Sequence, residues 1–239
     1  MPRIYKDEAI VLKTIKLGEA DRIVTLMTRG NGKVRAVAKG IRKTKSRFGA
    51  RLEPFTRAEL VIYKGRNLDT ITSADILTSF DEIRSDYQRL RSGAALVDVV
   101  EKITPDRERA FPIYALLIGG LNALAEGRPN VVPSFLVKLL SITGYHPQLD
   151  SCAACGDHAV LGAFSPSAGG AICESCWHEA GDSIRMGSDE IALMSRLLRS
   201  DFGQPGDIHS TLAMTQALRS YAEYHLERQI KTLHALTAS

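Results

Sequence analysis

The sequence predicts an α+β chain of several domains: a small all-β barrel at the amino terminus, an α-helical domain, and a four-cysteine zinc element inserted into the helical part. The first 80 residues alternate apolar and polar side chains in short runs, and a helical period replaces this alternation from about Asp81. All four cysteines lie within 25 residues. We therefore predict a barrel over residues 1–80, a helical domain in two parts over 81–150 and 183–239, and a zinc element over 151–182.

Five short runs rich in Val, Ile and Thr predict the strands of the barrel. The first three are AIVLKTIKL, RIVTLMT and KVRAVAK, and GNGK between the second and the third predicts a tight hairpin turn. The runs RAELVIYK and LDTITSADIL follow, separated by GRN. Five strands in about 75 residues favour a five-stranded OB-fold, with an SH3-like barrel as the alternative.

Apolar side chains at helical spacing predict the helices. The first helix carries one apolar stripe made of Ile83, Tyr87, Leu90, Ala94 and Val97. Four further helices are predicted: over about residues 110–126, from Pro133 to Thr143, from Ser188 onward, and as one long helix over about residues 207–235.

The positive charge of the chain is concentrated in one segment. The net charge is +4, from 31 Lys or Arg and 27 Asp or Glu. Residues 22–52 contain ten of the basic residues and no acidic one, which leaves 21 basic and 27 acidic residues elsewhere, a net charge of −6. A localised positive charge of this kind predicts a polyanionic partner.

The stretch KVRAVAKGIRKTKSRFGAR, residues 33–51, is the predicted nucleic-acid surface. Alternation turns Val34, Ala36 and Ala38 toward the barrel interior, and from Gly40 onward the pattern becomes a basic loop. Phe48 is the candidate for stacking on a base, and its alternative role is an apolar plug that fastens the loop to the barrel. The candidate DNA-binding residues are Lys33, Arg35, Lys39, Arg42, Lys43, Lys45, Arg47, Phe48 and Arg51.

The cysteines predict one structural zinc ion. Cys152, Cys155, Cys173 and Cys176 form two C-x2-C pairs, and each pair can direct two thiolates at one metal. The alternatives are disulfides, which a cytoplasmic location disfavours, and a site whose cysteines are free. His158 and His178 lie close enough to be substitute ligands, but four thiolates already close the site, so the zinc is expected to be structural.

No catalytic constellation is present in the sequence. GNGK lacks the spacing of a nucleotide-binding loop, and the six histidines are dispersed. We therefore expect a binding protein that does not hydrolyse ATP, located in the cytoplasm because no signal peptide or membrane span is found. Three alternatives stay open: an RNA-binding or translation-associated module, a zinc enzyme with an open coordination position, and an adaptor whose basic stretch is only a solvated face.

Three segments in combination resemble the bacterial RecO family of DNA repair proteins. They are YKDEAIVLKTIKLGEADRIVTLMT, then GKVRAVAKGIRK with RLEPF, and then LVKLLSITGYHPQLDSCAACG. The resemblance extends over essentially the whole chain, and the two intact C-x2-C pairs resemble those of the zinc-bearing members.

The resemblance implies a recombination mediator with an amino-terminal OB-fold, a helical domain and a zinc element. Such a protein binds single-stranded and double-stranded DNA, anneals complementary strands, cooperates with RecR, and helps RecA load onto DNA coated by single-strand-binding protein. The resemblance also implies that the acidic tail of that protein contacts the helical domain. We expect a nucleoid-associated protein that is a monomer in isolation.

Overall fold

A computed structural model describes residues 3–43, 46, 48–199, 202 and 212–237. The chain forms two compact units, Met1–Asn122 and Ala123–Ser239. Among the described residues, no helix has the length and apolar character needed to cross a membrane. The four-segment division of the sequence into residues 1–80, 81–150, 151–182 and 183–239 stays a prediction.

The first unit contains the predicted five-stranded closed barrel, so this part of the fold prediction is confirmed. The strands follow one another around the barrel in the order β1-β2-β3-β5-β4, and β4 pairs with β1. A short 3-10 helix, Gly49–Leu52, lies between β3 and β4. The strands are β1 (Ile4–Leu17), β2 (Asp21–Thr28), β3 (Gly32–Ala38), β4 (Arg57–Tyr63) and β5 (Asp69–Thr78).

The long first strand closes the barrel because its two halves have different partners. Its first half pairs antiparallel with β4, with Ile4 opposite Tyr63, and its second half pairs antiparallel with β2, with Leu17 opposite Asp21. The register shifts between Val11 and Lys13. An irregularity of this kind bends a strand and increases its twist, which lets β1 serve two neighbours.

Side-chain alternation in the third strand agrees with the prediction. Val34, Ala36 and Ala38 are buried in the barrel core, with exposed fractions of 1%, 0% and 0%. Arg35 between them is exposed. The turn before this strand requires Gly32, which has φ +68 and lies so close to the backbone of Glu108 that a Cβ atom would be 1.7 Å from the Glu108 carbonyl oxygen.

The helix after the barrel is divided, and this corrects the predicted apolar stripe. Helix α1 (Asp81–Ser85) ends, and α2 (Tyr87–Ile103) begins after Asp86, whose carboxylate accepts a hydrogen bond of 2.8 Å from the Arg89 N–H. Tyr87 and Leu90 of the predicted stripe are 70% and 37% exposed, whereas Val97 is buried, and the other buried residues of α2 include Leu96 and Val100. Helix α3 (Phe111–Ala125) follows.

The second unit combines helices with a small sheet. Helix α4 (Val131–Ile142) packs on α6 (Ser188–Arg199) and α7 (Leu212–Leu226). The sheet has the order β7-β6-β8, and its strands are β6 (Leu161–Ser165), β7 (Gly170–Cys173) and β8 (Ile184–Arg185). The short helix α5 (Glu174–Trp177) lies between β7 and β8 in the chain.

The single long helix predicted over residues 207–235 is wrong. The chain turns at Glu227, which has φ 50, and a separate helix α8 (Lys231–Thr237) follows. The Glu223 carboxylate accepts a hydrogen bond of 2.6 Å from the Ile230 N–H and so holds the start of α8 against α7. The apolar residues keep one helical period through the break, which is why the sequence pattern alone does not reveal it. Residues 207–211 lie outside the described residues.

Candidate nucleic-acid interface and metal centre

Folding brings carboxylates to the basic segment of residues 22–52, although the segment itself contains none. Each of these acidic partners comes from outside the segment. The ion pairs are Arg22 with Glu53 at 2.9 Å, Arg29 with Glu8 at 3.7 Å, and Lys33 with Asp106 at 3.2 Å. The excess of positive charge at the surface of the barrel is therefore smaller than a linear count suggests.

Lys33 is a structural residue in this fold. Its side chain is only 12% exposed, and its Nζ donates a hydrogen bond of 2.7 Å to the Glu101 carbonyl oxygen in addition to its ion pair with Asp106. The Arg107 N–H donates to the Lys33 carbonyl oxygen at 2.9 Å. Lys33 thus holds the end of α2 and the following segment against β3, and a DNA phosphate would have to compete with these partners.

Four of the predicted cations are exposed and form no ion pair within the described residues. Arg35 lies on the outer face of β3, and Lys39, Arg42 and Lys43 lie on the loop that follows. We call these four residues, Arg35, Lys39, Arg42 and Lys43, the arm cations. The loop is fixed to the preceding hairpin, because the Gly40 N–H donates to Asp21 Oδ1 at 2.7 Å and Arg42 Nη1 donates to the Gly18 carbonyl oxygen at 3.2 Å.

Phe48 is a residue of the barrel core. Its side chain is 1% exposed and belongs to the same apolar cluster as Leu52, Leu60 and Ile62. A ring in this position offers no face to a base, so the stacking role predicted for Phe48 does not fit the fold. The other role considered from the sequence, an apolar plug that fastens the basic loop to the barrel, agrees with this placement.

The remaining candidates divide into two groups. Lys45 and Arg47 lie outside the described residues. Arg51 belongs to the 3-10 helix and is partly buried. DNA contact by any member of the predicted set stays a prediction.

Counting charges within one continuous segment of the sequence also missed exposed cations elsewhere on the same barrel. Arg3 and Lys6 lie at the start of β1, and Lys64 and Arg66 lie in the loop between β4 and β5. These positions are far apart in the sequence, but the pairing of Ile4 with Tyr63 brings them to the same end of the barrel. The signal in the sequence was the predicted loop GRN together with Lys64 at the end of the predicted strand before it, a stretch with two cations and no carboxylate.

Asp69 holds the loop between β4 and β5 in place. Its carboxylate is buried and accepts hydrogen bonds from the Tyr5 hydroxyl at 2.9 Å, from the Gly65 N–H at 3.1 Å and from Arg107 Nη2 at 3.1 Å. Burial, together with the hydrogen bond to Asp69, raises the pKa of Tyr5. The loop therefore has a fixed position against the barrel.

A second carboxylate, that of Glu8 on β1, neutralises cations farther along the β1–β4 pair. Glu8 accepts hydrogen bonds from Arg57 at 2.8 Å and from the Tyr114 hydroxyl at 3.0 Å. The Arg57 guanidinium lowers the pKa of Glu8, and burial raises the pKa of Tyr114 to about 12. Arg29 completes this group through its ion pair with Glu8. These two arginines are therefore weaker candidates for phosphate contacts than the arm cations.

The four cysteines converge as the sequence predicted. The sulfur atoms of Cys152, Cys155, Cys173 and Cys176 all lie within 4.8 Å of one another, and each of the four is a free thiol. The first pair lies in a tight turn, in which the Gly156 N–H donates to the Cys152 carbonyl oxygen at 2.8 Å and Gly156 has φ +79. The second pair lies where β7 passes into α5.

The spacing of the sulfur atoms fits a tetrahedral metal. Zn–S bonds of about 2.3 Å give a tetrahedron with S–S edges of about 3.8 Å. The Sγ atoms of Cys155 and Cys173 are 3.9 Å apart. Neither His158 nor His178 belongs to this cluster within the described residues. Four thiolates complete a tetrahedral zinc shell, and such a closed site holds a fold together rather than binding a reactive water.

The cysteine element is acidic, unlike the barrel. Residues 151–182 contain Asp157, Glu174, Glu179 and Asp182 and no Lys or Arg. Although burial opposes it, hydrogen bonds from Ser165 and Ser167 lower the pKa of Asp182, so this carboxylate keeps its charge while it fixes the turn between β6 and β7. A surface of this charge repels phosphates.

Comparison with protein families accounts for nearly the whole chain. The family described as "Recombination protein O N terminal" matches residues 1–80, and the family described as "Recombination protein O C terminal" matches residues 84–234.

Individual relatives agree over nearly their full lengths. The chain is 42% identical over 240 residues to a protein of Nocardioides sp. named DNA repair protein RecO, covering 96% of this chain and 98% of that protein. Proteins with the same name from Frankia casuarinae and Bifidobacterium longum are 40% and 38% identical and cover 96% and 98% of this chain. The alignments cover 97% and 98% of those two relatives.

Proposed function

Because the chain belongs to the RecO family of DNA repair proteins, we propose that it is a recombination mediator whose barrel, residues 1–80, binds DNA through the arm cations. In this proposal it binds single-stranded and double-stranded DNA and anneals complementary strands without ATP. It acts with RecR on DNA coated by single-strand-binding protein, whose acidic tail contacts the helical domain, and so assists RecA loading.

The observation that supports DNA binding most directly is the group of arm cations. They are exposed, they lie on one strand and the loop after it, and within the described residues no carboxylate pairs with them. Cations that neutralise phosphates on two strands lower the repulsion between the strands, so that complementary bases can pair. Binding of this kind is driven by counterion release and depends little on base sequence.

Annealing of complementary strands coated with single-strand-binding protein, in the absence of ATP, tests the proposed activity. A fluorescence assay on such strands should give faster pairing in the presence of the protein. Equal rates with and without the protein would refute annealing. Competition with a matched RNA oligonucleotide tests the RNA-binding alternative, which predicts that RNA displaces DNA.

Removal of three of the four arm cations, those on the loop, tests the proposed surface. In the variant Lys39→Ala, Arg42→Ala and Lys43→Ala, the log–log slope of single-strand affinity against salt should become shallower by about 2, since each phosphate contact contributes about 0.7. Affinity at low salt should fall, and the unfolding temperature should stay close to that of the wild type because these side chains are exposed.

A matched control removes the same charge from the second unit. Arg128, Arg228 and Lys231 are exposed residues of that unit, and their replacement by Ala should leave the salt slope unchanged. Equal losses in both variants would mean that net charge rather than the barrel surface determines binding.

We also propose that the cysteine cluster binds one structural zinc ion and that the protein is not an enzyme. The resident ion would be held by Cys152, Cys155, Cys173 and Cys176, whose sulfur spacing suits it. X-ray absorption of the purified protein should give a shell of four sulfur atoms. A shell with a nitrogen or oxygen neighbour would favour an open site and the zinc-enzyme alternative.

A further inference from the structure

Tyr63 is an exposed aromatic side chain on the outer surface of the barrel. Leu60 and Ile62 on the same strand are fully buried in the core, so strand alternation turns Tyr63 outward. Its side chain is 36% exposed, whereas Phe48 and Phe55 are 1% and 4% exposed. Tyr63 is therefore available to a ligand that lies on the barrel.

The strand register joins Tyr63 to the arm cations. Tyr63 lies opposite Ile4 of β1 on one side and opposite Thr70 of β5 on the other, and Thr70 lies beside Val37 of β3. Arg35 is two residues from Val37 on the same strand and shares its outward direction, and Lys39 lies in the loop directly after this strand. The outer surface thus continues from β3 across β5 and β4 to β1, and Tyr63 lies within it.

Cations lie near Tyr63, and the carboxylates of Asp69 and Asp7 are already hydrogen-bonded. The exposed carboxylates of Glu59 on β4 and Asp75 on β5 lie toward the other end of β4. Arg3 Nη1 donates a hydrogen bond of 3.3 Å to the Tyr63 hydroxyl. The carboxylate of Asp69 is buried in its hydrogen-bond network, and that of Asp7 accepts hydrogen bonds from Gly30 and Asn31. The other exposed cations at this end of the barrel are Lys6, Lys64 and Arg66.

We infer that Tyr63 is a base-stacking residue for single-stranded DNA, with Arg3, Lys6, Lys64 and Arg66 as its phosphate contacts. This inference rests on the proposed function, because it extends the arm-cation surface to a second patch on the same barrel. An aromatic ring among cations is the combination by which barrels of this size hold single strands without sequence preference. In this inference Tyr63 has the stacking role that the sequence suggested for Phe48, whose ring is buried in the core.

The test compares three tyrosine variants by fluorescence anisotropy with a labelled thymidine oligonucleotide. Tyr63→Ala should weaken binding by about 5- to 140-fold, the loss that corresponds to one stacked base. Tyr63→Phe keeps the ring and should retain most of the affinity. Tyr87→Ala is the matched control, since Tyr87 is also exposed, at 70%, and also lies beside an arginine, with the Arg91 guanidinium 5.7 Å from its ring centroid. This control should bind as the wild type does.

Two further measurements separate stacking from charge. Tyr63→Ala should leave the salt slope unchanged, whereas Lys6→Ala with Lys64→Ala should make it shallower by about 1.4. An oligonucleotide with abasic sites throughout should bind wild type and Tyr63→Ala equally, because no base is present to stack.

The outcomes distinguish this inference from the proposed function. If the wild-type protein binds the thymidine oligonucleotide and Tyr63→Ala binds it equally tightly, the stacking role alone is overturned. Absence of DNA binding by the wild-type protein would overturn both. A large loss for Tyr63→Ala on the abasic oligonucleotide would also contradict stacking.

Discussion

The barrel and the cysteine element are stabilised in different ways. The barrel closes five strands around a cluster of fully buried side chains that includes Leu26, Phe48, Leu60 and Ile71. Phe164 and Ala171 of the element are fully buried, and the Phe164 ring contacts Tyr221 of α7. The other buried cluster of the element is small and consists of Cys152, Ala163, Ile172 and Cys173. Two of these four are the predicted metal ligands. A segment with so little apolar surface to bury requires a metal or another crosslink to stay folded.

The two regions also carry opposite charge. The barrel presents exposed cations on one outer surface, and residues 151–182 contain four carboxylates and no Lys or Arg. Coordination of the proposed zinc ion by four thiolates would add further negative charge to the element. Under the proposed function, this difference corresponds to a division of roles, in which the barrel contacts the polyanion and the element maintains the fold of the second unit.

The largest effect should follow from removing one metal ligand. Cys173→Ser leaves three thiolates, and structural zinc contributes about 10 to 16 kcal/mol of binding free energy to folding in small domains. We expect loss of bound zinc and loss of amide protection in residues 151–182, with protection in the barrel strands retained. Hydrogen exchange and metal analysis measure both.

The neighbouring exposed residue Ser175 provides the control for this variant. Ser175→Ala should keep the metal and the protection pattern, because Ser175 contributes no ligand to the cluster. Full zinc content and unchanged exchange in Cys173→Ser would show that the element does not depend on all four thiolates.

A second effect should be confined to the barrel core. Phe48→Ala should lower the free energy of unfolding by about 3 to 5 kcal/mol, because it removes a ring that is 1% exposed and leaves a cavity. Phe111→Ala, at a ring that is 52% exposed, should cost much less. Denaturant unfolding measures the difference. Weaker DNA binding by Phe48→Ala without loss of stability would instead restore its stacking role.

The smallest effect should come from the acidic surface of the element. Glu174→Gln with Glu179→Gln changes two exposed side chains, and we expect neither the salt slope of DNA binding nor the affinity to change. The variant Lys39→Ala, Arg42→Ala and Lys43→Ala provides the positive control in the same salt titration. Tighter binding by the Gln variant would place these carboxylates near the DNA and remove the division of roles.

Most of the architecture could be predicted from local pattern. Alternation along β3, the hairpin turn at Gly32 and the spacing of the cysteines each depend on residues close together in sequence, and the fold contains all three. The stop between α7 and α8 could not be predicted in this way, because the apolar period continues through Glu227 while its backbone does not.

The candidate site was harder to predict from local patterns, because it depends on residues that are far apart in the sequence. Charge counting identified the basic segment, but the positive charge of Lys33 is paired with the carboxylate of Asp106, a partner 73 positions away. The same counting overlooked Lys64 and Arg66, which only strand pairing brings beside Arg3.

The sequence by itself determined the five barrel strands, the spacing of the four cysteines and the concentration of positive charge, since each is a property of composition and short-range spacing. Only the tertiary structure decided which side chains remain available. It buried Phe48, turned Tyr63 outward and paired Arg22, Arg29 and Lys33 with carboxylates from other segments. The physical reason is that burial and ion pairing depend on which segments meet when the barrel closes. A sequence pattern does not give the spatial distance between segments that are far apart in the chain.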